Sequence, residues 1–408
     1  RIADRFHGSD EMRFFVGVKA TADSEAGEMP SPELMRTMTE FNEELVAAGV
    51  MIDGNGLLPS SQGYKIFTAN GESTIVDGPF AETKELIAGY WVLQAKSMDE
   101  VIAWVKRAPM DADGRDAAVE IRQIFELDDF PEMEDESGWR ENEEKLREEW
   151  NAGSPGDAQG SLAPTPGKLV YMGMVHATAD SEAGAMPTEA ELATMGALMD
   201  ESAAAGILLG GEGLRPSAQG VQIEYRNGER TVIDGPFAET KELIGGYAIM
   251  QFDSEEQARE WTVRFAQTSG QECVQLRKVL RPEDFSDEVR EEAADVFEAE
   301  DRMRAQAYDL NYLRMFTLEI ERCDNGYPKD QVCGRCLSPE DIVAIVANGE
   351  RLCGEKGVCG QPRRDDYVCN GINAELEYNG GAQASGDLVP PRDRTKLVSD
   401  EALNPEED

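Results

Sequence analysis

Basic residues are scarce in this sequence. The 408 residues contain 39 Lys and Arg against 81 Asp and Glu, which leaves a formal net charge of -42 at pH 7. A surface this negative repels the phosphates of nucleic acids and of anionic lipids. Neither a nucleic acid nor a membrane is therefore expected as a partner.

Lysine is the rarer of the two bases, with 12 residues against 27 arginines. The excess of acid, the shortage of lysine and the modest content of large apolar side chains together predict adaptation to high salt, where screening removes the repulsion between surface charges. A merely acidic protein without a salt requirement is the alternative. Unfolding at low salt would distinguish the two.

Long apolar runs and leader-like segments are also missing. No stretch approaches about 18 consecutive apolar residues, so no transmembrane helix is predicted. The opening RIADRFHGSDEM has no apolar signal core and no initiating Met, so the biological start is expected at Met12 or upstream. These features predict a cytoplasmic protein. A glycine-rich phosphate cradle is absent as well, so nucleotide binding is not predicted.

What the chain has instead is an internal duplication. VDGPFAETKELIAGYW, at residues 76–91, returns as IDGPFAETKELIGGYA at residues 233–248 with three changes. KATADSEAGEMP and GLLPSSQG recur at the same spacing as HATADSEAGAMP and GLRPSAQG. Two copies of one domain are therefore predicted at residues 12–130 and 169–285.

The remaining segments differ in composition from the two copies. Residues 131–168 predict a charged helical spacer followed by a flexible linker, and residues 286–310 predict an acidic helix. Residues 311–380 hold six of the seven Cys among Gly, Asn and Pro. Residues 381–408 form an acidic polar tail that is predicted to be disordered.

Each copy predicts the same order of elements. In the first copy, MRFFVGVKA is a strand, an apolar stripe from Leu34 to Leu45 marks a helix that ends at Gly49, and YKIFTANGESTIV is a hairpin that turns at Asn70-Gly71. A further strand, a second helix and a last strand follow. This order favours helices that cover one face of an antiparallel sheet, and the second copy can cover the other face.

A resemblance to a known family rests on these residues. The DGPFAETKE stretch, preceded by the Asn-Gly hairpin and by GEGL at residues 211–214, resembles the YCII-related proteins with the DGPF motif, members of the dimeric α/β-barrel superfamily. The resemblance covers both copies nearly end to end. It implies an α+β fold of two ferredoxin-like βαββαβ units in an intramolecular pseudo-dimeric α/β barrel, to which this chain adds a C-terminal helix and a small Cys-rich segment. It implies no substrate, because most members lack an established reaction and some accompany sigma factors in transcription regulation.

The repeated motif has two interpretations. In the structural one, Asp77 forms an Asx turn, Gly78 and Pro79 set the backbone, and Phe80 anchors the corner in the core. In the functional one, the corner presents polar side chains at the mouth of a cleft, where a carboxylate beside an ammonium serves as a general base or a ligand clamp. The predicted ligand-binding residues are Glu82, Thr83, Lys84, Glu239, Thr240 and Lys241.

A second candidate site uses the histidine of the second copy. The catalytic candidates are His176, which ends the first strand of that copy, Asp234 in the motif, and Asp77, the twin of Asp234. The related proteins resemble enzymes in pairing a His with an Asp. Lys19 replaces the histidine in the first copy, so an active second copy, an incidental histidine and a site of carboxylates alone all stay open.

The clustered cysteines allow three states. Cys333 and Cys336 form half of a zinc site, and its other candidate ligands are Cys353, Cys359 and Cys369. A second C-x2-C pair is missing, so disulfides in a small stapled module and reduced thiols stay open as well. A structural zinc ion is the one cofactor that the sequence suggests.

The leading hypothesis is a non-catalytic module that binds a small molecule or a protein partner, with regulation as its context. One alternative is an isomerase- or lyase-like enzyme that uses His176 with Asp234. Another is a structural protein that assembles through the Cys-rich segment. An enzyme needs its titrating pair within hydrogen-bond reach in a cleft, whereas a binding module needs only a pocket with a few polar groups.

Overall fold

Two similar halves make up most of the described chain. The computed structural model describes residues 12–80, 86–130, 139–140, 164–237 and 243–303. The elements of the first half are β1 (Met12–Lys19), α1 (Ala22–Glu25), α2 (Pro32–Ala47), β2 (Met51–Gly56), β3 (Tyr64–Ala69), β4 (Glu72–Asp77), β5 (Ile87–Ala95), α3 (Met98–Val105) and β6 (Ala117–Gln123). Those of the second half are β7 (Leu169–His176), α4 (Ala179–Glu182), α5 (Glu189–Ala204), β8 (Leu208–Gly213), β9 (Val221–Arg226), β10 (Glu229–Asp234), β11 (Ile244–Phe252), α6 (Glu255–Ser269) and β12 (Cys273–Lys278). The helix α7 (Asp287–Glu292) and a helical stretch over residues 294–303 follow.

Several element boundaries follow from local sequence signals. The two hairpins turn at Asn-Gly pairs, in which Asn70 and Asn227 both have a φ of 52°, as a two-residue turn of this type requires. The helix α2 begins where the Ser31 hydroxyl accepts a hydrogen bond from Leu34 N at 3.2 Å. The same helix ends before Gly49, which has a φ of 64°. The predicted hairpin and first helix are thus confirmed.

One strand of each half was not predicted from the sequence. The strand β2 has the sequence MIDGNG, and all six of its residues are partly buried, so it shows no alternation of apolar and polar positions. With β2 included, the elements β1, α2, β2, β5, α3 and β6 supply the βαββαβ order. The hairpin β3–β4 is therefore an insertion between β2 and β5, not the central pair of strands.

The hairpins are exchanged between the halves. One six-stranded sheet has the order β10-β9-β6-β1-β5-β2, and the other has the order β4-β3-β12-β7-β11-β8. The strand β9 pairs with β6, where Val221 lies opposite Ile121, and β3 pairs with β12, where Tyr64 lies opposite Leu276. Each sheet thus combines four strands of one half with the hairpin of the other, so neither half completes its sheet alone.

The two sheets pack face to face and carry the helices on their outer faces. The apolar cluster between the sheets includes Phe15, Met172 and Tyr247, and the rings of Phe15 and Tyr247 lie 5.0 Å apart. On the outer face of the first sheet, Phe41 of α2 and Val101 of α3 join a second apolar cluster. The helices α5 and α6 cover the second sheet in the same way.

Short bridges join the two sheets at their ends. Leu57, just after β2, forms a β-bridge with Val279, just after β12, and Ile124 forms the equivalent bridge with Leu214. These contacts link the edge of each sheet to the other sheet. The predicted α+β fold, an intramolecular pseudo-dimeric α/β barrel, is therefore confirmed.

The segment after the second half packs back on the first half. Its helical residues are interrupted at Ala293, between α7 and residues 294–303. Ala293 and Val296 join Met35 of α2 in a small apolar cluster, and Arg36 Nε donates to Asp295 at 2.9 Å. The end of the second half is thereby tied to α2.

Some predicted segments lie outside the described residues. They are residues 131–138 and 141–163 of the spacer and linker, residues 304–310 of the acidic helix, the Cys-rich segment and the tail. Among the helices that the structure does describe, none combines the length and the apolar character that a membrane crossing needs.

Candidate functional site

The repeated DGPF corner lies tightly against the turn that begins its own hairpin. Gly78 N donates to Gly63 O at 3.0 Å. A Cβ atom on Gly78 would lie 1.8 Å from Ser60 O, and one on Gly235 would lie 1.9 Å from Ser217 O. The peptide bond from each of these glycines to the following proline is cis. Only glycine fits this position, in both halves.

Ser60 connects the corner to a second repeated motif. Its hydroxyl accepts a hydrogen bond from Phe80 N at 3.1 Å and donates one to the carboxylate of Glu25 on α1. The backbone N–H of Ser60 also donates to Glu25, at 3.0 Å. In the second half, Ser217 N donates to Glu182 in the same way at 2.9 Å. The three sequence motifs that the copies share therefore meet in one place.

Each of these glutamates also binds a buried arginine from the other half. Arg277 Nη2 donates to Glu25 at 2.9 Å, and Arg122 Nη2 donates to Glu182 at 3.1 Å. The arginine side chains are 0% and 1% exposed. Burial lowers the pKa of Arg277, and the carboxylate of Glu25 opposes that shift. Because these pairs join the halves, a structural role explains why both copies retain the motif. Phe80 is not the core anchor that this interpretation predicts, since it is only partly buried and its ring centre lies 4.6 Å from Lys65 Nζ.

A pocket of about 410 Å³ lies on the outer face of the second sheet, between the exchanged hairpin and α6. It is lined by residues of both halves: Ser61, Gln62, Gly63, Asp77, Leu169, Tyr171, Glu255, Arg259 and Lys278. Its volume falls in the range of roughly 300–1,000 Å³ that is usual for small-molecule sites. The exchange of hairpins thus builds a cleft that neither half has alone.

Arg259 is the central cation of this pocket. Its Nη2 donates to Asp77 at 2.6 Å and to Glu255 at 2.7 Å, and its guanidinium lies 4.4 Å from the ring centre of Tyr64. Burial alone would lower the pKa of Arg259, but the bonds to Glu255 and Asp77 raise it above its usual value. Asp77 therefore lies in a cleft between sheet and helix, as the functional interpretation of the motif expects, and its catalytic role stays a prediction.

The matching face of the first sheet is apolar. At the positions 157 residues before Arg259 and Tyr171, the first half carries Ile102 and Phe14. Phe14 belongs to the apolar cluster beneath α2 and α3, and Ile102 packs against that cluster. Asp234, the twin of Asp77, consequently has no arginine at the position equivalent to Arg259.

His176 and Asp234 do not lie on neighbouring strands. His176 ends β7 in the second sheet, two residues after Met174, whose side chain packs between the sheets. Asp234 ends the edge strand β10 of the first sheet, two residues after Val232, which packs beneath the helices. Side chains two residues apart on a strand share a face, so the two groups point to different layers. This arrangement does not support the proton-transfer pair, whose catalytic role stays a prediction.

The other predicted site residues fall outside the described residues. They are the ligand-binding candidates Glu82, Thr83, Lys84, Glu239, Thr240 and Lys241, and the metal-ligand candidates Cys333, Cys336, Cys353, Cys359 and Cys369. Within the described ranges, no group of three or more His, Cys, Asp or Glu side chains is arranged to hold a metal ion.

Arg259, Glu255 and Lys278 were not among the site residues predicted from the sequence. A charged residue on the polar side of a helix carries no functional signal by itself, because most such residues are simply solvated. A comparison of the two copies does give a functional signal. Arg259 stands where the other copy has Ile102, and such a change from apolar to charged marks a surface with a different use.

Comparison with known proteins identifies the repeated unit. A model of the YCII-related domain matches residues 12–128 and again residues 170–280. An uncharacterized protein of Rhizobium meliloti (strain 1021) is 30% identical over 73 residues, which cover 18% of this chain and 59% of that protein. The chain thus spans only about three fifths of the length of that relative.

Solved structures show a weaker likeness. A mutant of chlorite dismutase from Candidatus Nitrospira defluvii aligns with 72% of this chain and 98% of its own length, at 8% identity and a TM-score of 0.32. Another mutant of that protein, in complex with cyanide, aligns over the same shares with a TM-score of 0.31. Likeness at this level carries no information about activity.

Proposed function

This chain belongs to the YCII-related domain family, and we propose that it is a non-catalytic module that binds a small ligand of mixed charge in the pocket beside Asp77. The membership rests on two matches that together cover more than half of the chain. The observation that carries the proposal is the contact between Asp77 and Arg259, at 2.6 Å, where the exchanged hairpin meets α6. A ligand bound there touches both halves at once.

The charges that line the pocket favour a zwitterion. The lining contains two carboxylates, Asp77 and Glu255, which both accept from Arg259, and a second cation, Lys278, which donates to Asp284 at 2.9 Å. Groups of both signs therefore lie side by side, and a ligand with one carboxylate and one ammonium group finds a partner for each of its charges. An α-amino acid is the simplest molecule of that class.

Arg259 is the expected anchor for the ligand carboxylate. Its hydrogen bonds to Asp77 and Glu255 use Nε and Nη2, so Nη1 has no hydrogen-bond partner among the described residues. A guanidinium N–H that donates to a carboxylate makes a strong, charge-assisted hydrogen bond. Leu169 and Tyr171 add wall surface next to these charges, so the pocket combines a few polar groups with an apolar side.

Thermal unfolding in the presence of the standard L-amino acids tests the proposal. A ligand that binds only the folded protein raises the melting temperature as its concentration rises. We expect at least one amino acid to do so. Simple carboxylates and simple amines, which carry a single charge, are expected to have a smaller effect.

Two arginine variants provide the matched control. Arg259→Ile installs the residue that the other half carries, whereas Arg264→Ile removes an arginine of the same helix that pairs with Glu201 outside the pocket. We expect the first variant to lose the response to the amino acid and the second to keep it. The proposal fails if no amino acid stabilises the unmodified chain, or if Arg259→Ile responds equally well.

A further inference from the structure

The exchanged hairpin of the first half carries most of the exposed apolar surface. Four large apolar side chains are exposed in the part of the chain that the structure describes, and three of them belong to this hairpin: Phe67, Ile75 and Val76, at 44%, 38% and 43%. The fourth, Ile233, belongs to the other hairpin. Exposed apolar side chains that lie together mark interaction surfaces. The hairpin β3–β4 is therefore a candidate interface.

The matching hairpin of the second half is charged or covered at these places. At the positions 157 residues after Phe67 and Ile75, it carries Glu224 and Val232, and Val232 packs beneath the helices. The strand β4 contains no basic residue, whereas β10 contains Arg230. Charged side chains protect the edge of a sheet against pairing with another chain. The edge at β4 has less of that protection than the edge at β10.

The backbone of β4 is open on one side. It is the last strand of its sheet, and no other described strand pairs with its outer edge. Gly78 N donates to Gly63 O, next to the hairpin pairs. Because the direction of these groups alternates along an antiparallel pair, the N–H and C=O groups of Ser73, Ile75 and Asp77 point away from β3. They form a row of donors and acceptors along the edge.

The sequence of β4 is complementary to itself. A two-fold axis at Ile75 relates two antiparallel copies of β4 and places the two Ile75 side chains side by side. Thr74 then lies opposite Val76. Ser73 lies opposite Asp77, so no like charges face each other in this register. The edge groups of one copy meet the edge groups of the other, because the same alternate residues are paired.

We propose that β4 is the interface through which two copies of this chain associate, so that their two six-stranded sheets become one continuous sheet. A second copy fits better than an unrelated strand because the residues that expose this edge match themselves across the axis. The contact is small, so the dimer is weak and reversible. It needs no ligand in the pocket beside Asp77, so this inference stands apart from the proposed function.

Sedimentation equilibrium of the full chain tests the interface, at several concentrations of protein and of sodium chloride. A reducing buffer prevents disulfides between the Cys-rich segments of two chains. We expect an equilibrium of monomer and dimer that shifts toward the dimer as the salt rises, because the net charge of -42 repels a second copy until it is screened. A chain that stays monomeric at the highest salt and protein concentrations overturns the proposal.

A matched pair of variants tests whether the association uses β4. Val76→Lys and Ile233→Lys make the same change at equivalent exposed positions of the two edge strands, and both change the net charge by the same amount. We expect Val76→Lys to raise the dissociation constant of the dimer by about tenfold or more, since two lysines then lie diagonally across the axis. We expect Ile233→Lys to have little effect. Equal effects of the two variants, or a dimer unaffected by Val76→Lys, overturn the proposal.

Two variants at the axis test the register. Ile75→Lys and Ile75→Glu each bring like charges face to face, so each is expected to weaken the dimer. An equal mixture of the two places a lysine opposite a glutamate, and we expect it to associate more tightly than either variant alone, at the lowest salt that supports the dimer. A mixture of folded variants that associates no more tightly contradicts pairing about Ile75. If these variants do not fold, the comparison of Val76→Lys with Ile233→Lys decides by itself.

Discussion

The two halves of the barrel share one corner and differ in what surrounds it. Gly78 and Gly235 each donate a backbone hydrogen bond of 3.0 Å, to Gly63 and Gly220 respectively. The outer pocket, however, is charged on the second sheet and apolar on the first, and the inner row of polar residues has a carboxylate only in the first. The inner row of the first sheet is Lys19, Glu120 and Arg122, and the matching row of the second is His176, Gln275 and Arg277. The shared features are those that close the barrel. The features that differ are not needed to close the barrel, and the proposed ligand pocket lies among them.

The largest difference between the halves is expected when their buried arginines are removed. Arg122→Met leaves both Glu120 and Glu182 without a guanidinium partner, whereas Arg277→Met leaves only Glu25. Breaking a buried ion pair costs about 3–5 kcal/mol. We expect Arg122→Met to lower the free energy of unfolding by about that amount, and Arg277→Met by less. Urea denaturation followed by circular dichroism measures both, and equal losses would show that the bond from Arg122 to Glu120 adds nothing to the bond from Arg122 to Glu182.

The shared corner predicts equal effects in the two halves. Gly78→Ala and Gly235→Ala each place a methyl group within 2 Å of a backbone oxygen, that of Ser60 or Ser217. Overpacking of this kind costs about 1–3 kcal/mol, and we expect both variants to lose a similar amount of unfolding free energy in urea. Gly196→Ala, in the helix α5 with nothing within 4 Å, serves as the control and is expected to gain up to about 1 kcal/mol. Losses that differ between the two corners would mean that the motif is structural in one half only.

Local signals and the duplication account for the parts of the fold that the sequence predicts. The Asn-Gly turns, the helix end at Gly49 and the repeated motif each depend on residues close together in the chain, so their structure can be inferred without knowing the rest. The exchange of hairpins depends on distant partners. The alternation in β3 fits the edge of either sheet equally well, and only the packing of Tyr64 and Ile66 against α6 and β12 decides between them.

The candidate site was predictable in part for a similar reason. Asp77 is found from the motif, and the structure places it in the pocket lining. Arg259 cannot be found from its own surroundings in the sequence, because its contact with Asp77 spans 182 residues. The pairing of Glu120 with Lys19 likewise joins residues that are far apart in the chain. Both contacts involve positions at which the charge differs between the two copies, so an alignment of the copies draws attention to them.

The smallest expected difference between the halves depends on pH. Glu120 has a lower pKa in the folded chain than its ordinary value of 4.5, and Gln275 at the matching position does not titrate. A carboxylate with a depressed pKa contributes stability that is present above its unfolded pKa and lost as the pH falls through its folded pKa. We therefore expect the unfolding free energy of the unmodified chain to exceed that of Glu120→Gln by a constant amount above about pH 5.5, and the excess to shrink as the pH falls below about 4.5.

Urea denaturation of both chains between about pH 7 and pH 3.5 measures this excess. Glu283→Gln, at an exposed position, is the control and is expected to show little change over the same range. An excess that stays constant to the lowest pH would mean that Lys19 and Arg122 do not hold Glu120 in its ionised form. The charge of Glu120 would then contribute nothing to the stability of the first inner row, and the expected difference in pH dependence between the two rows would be absent.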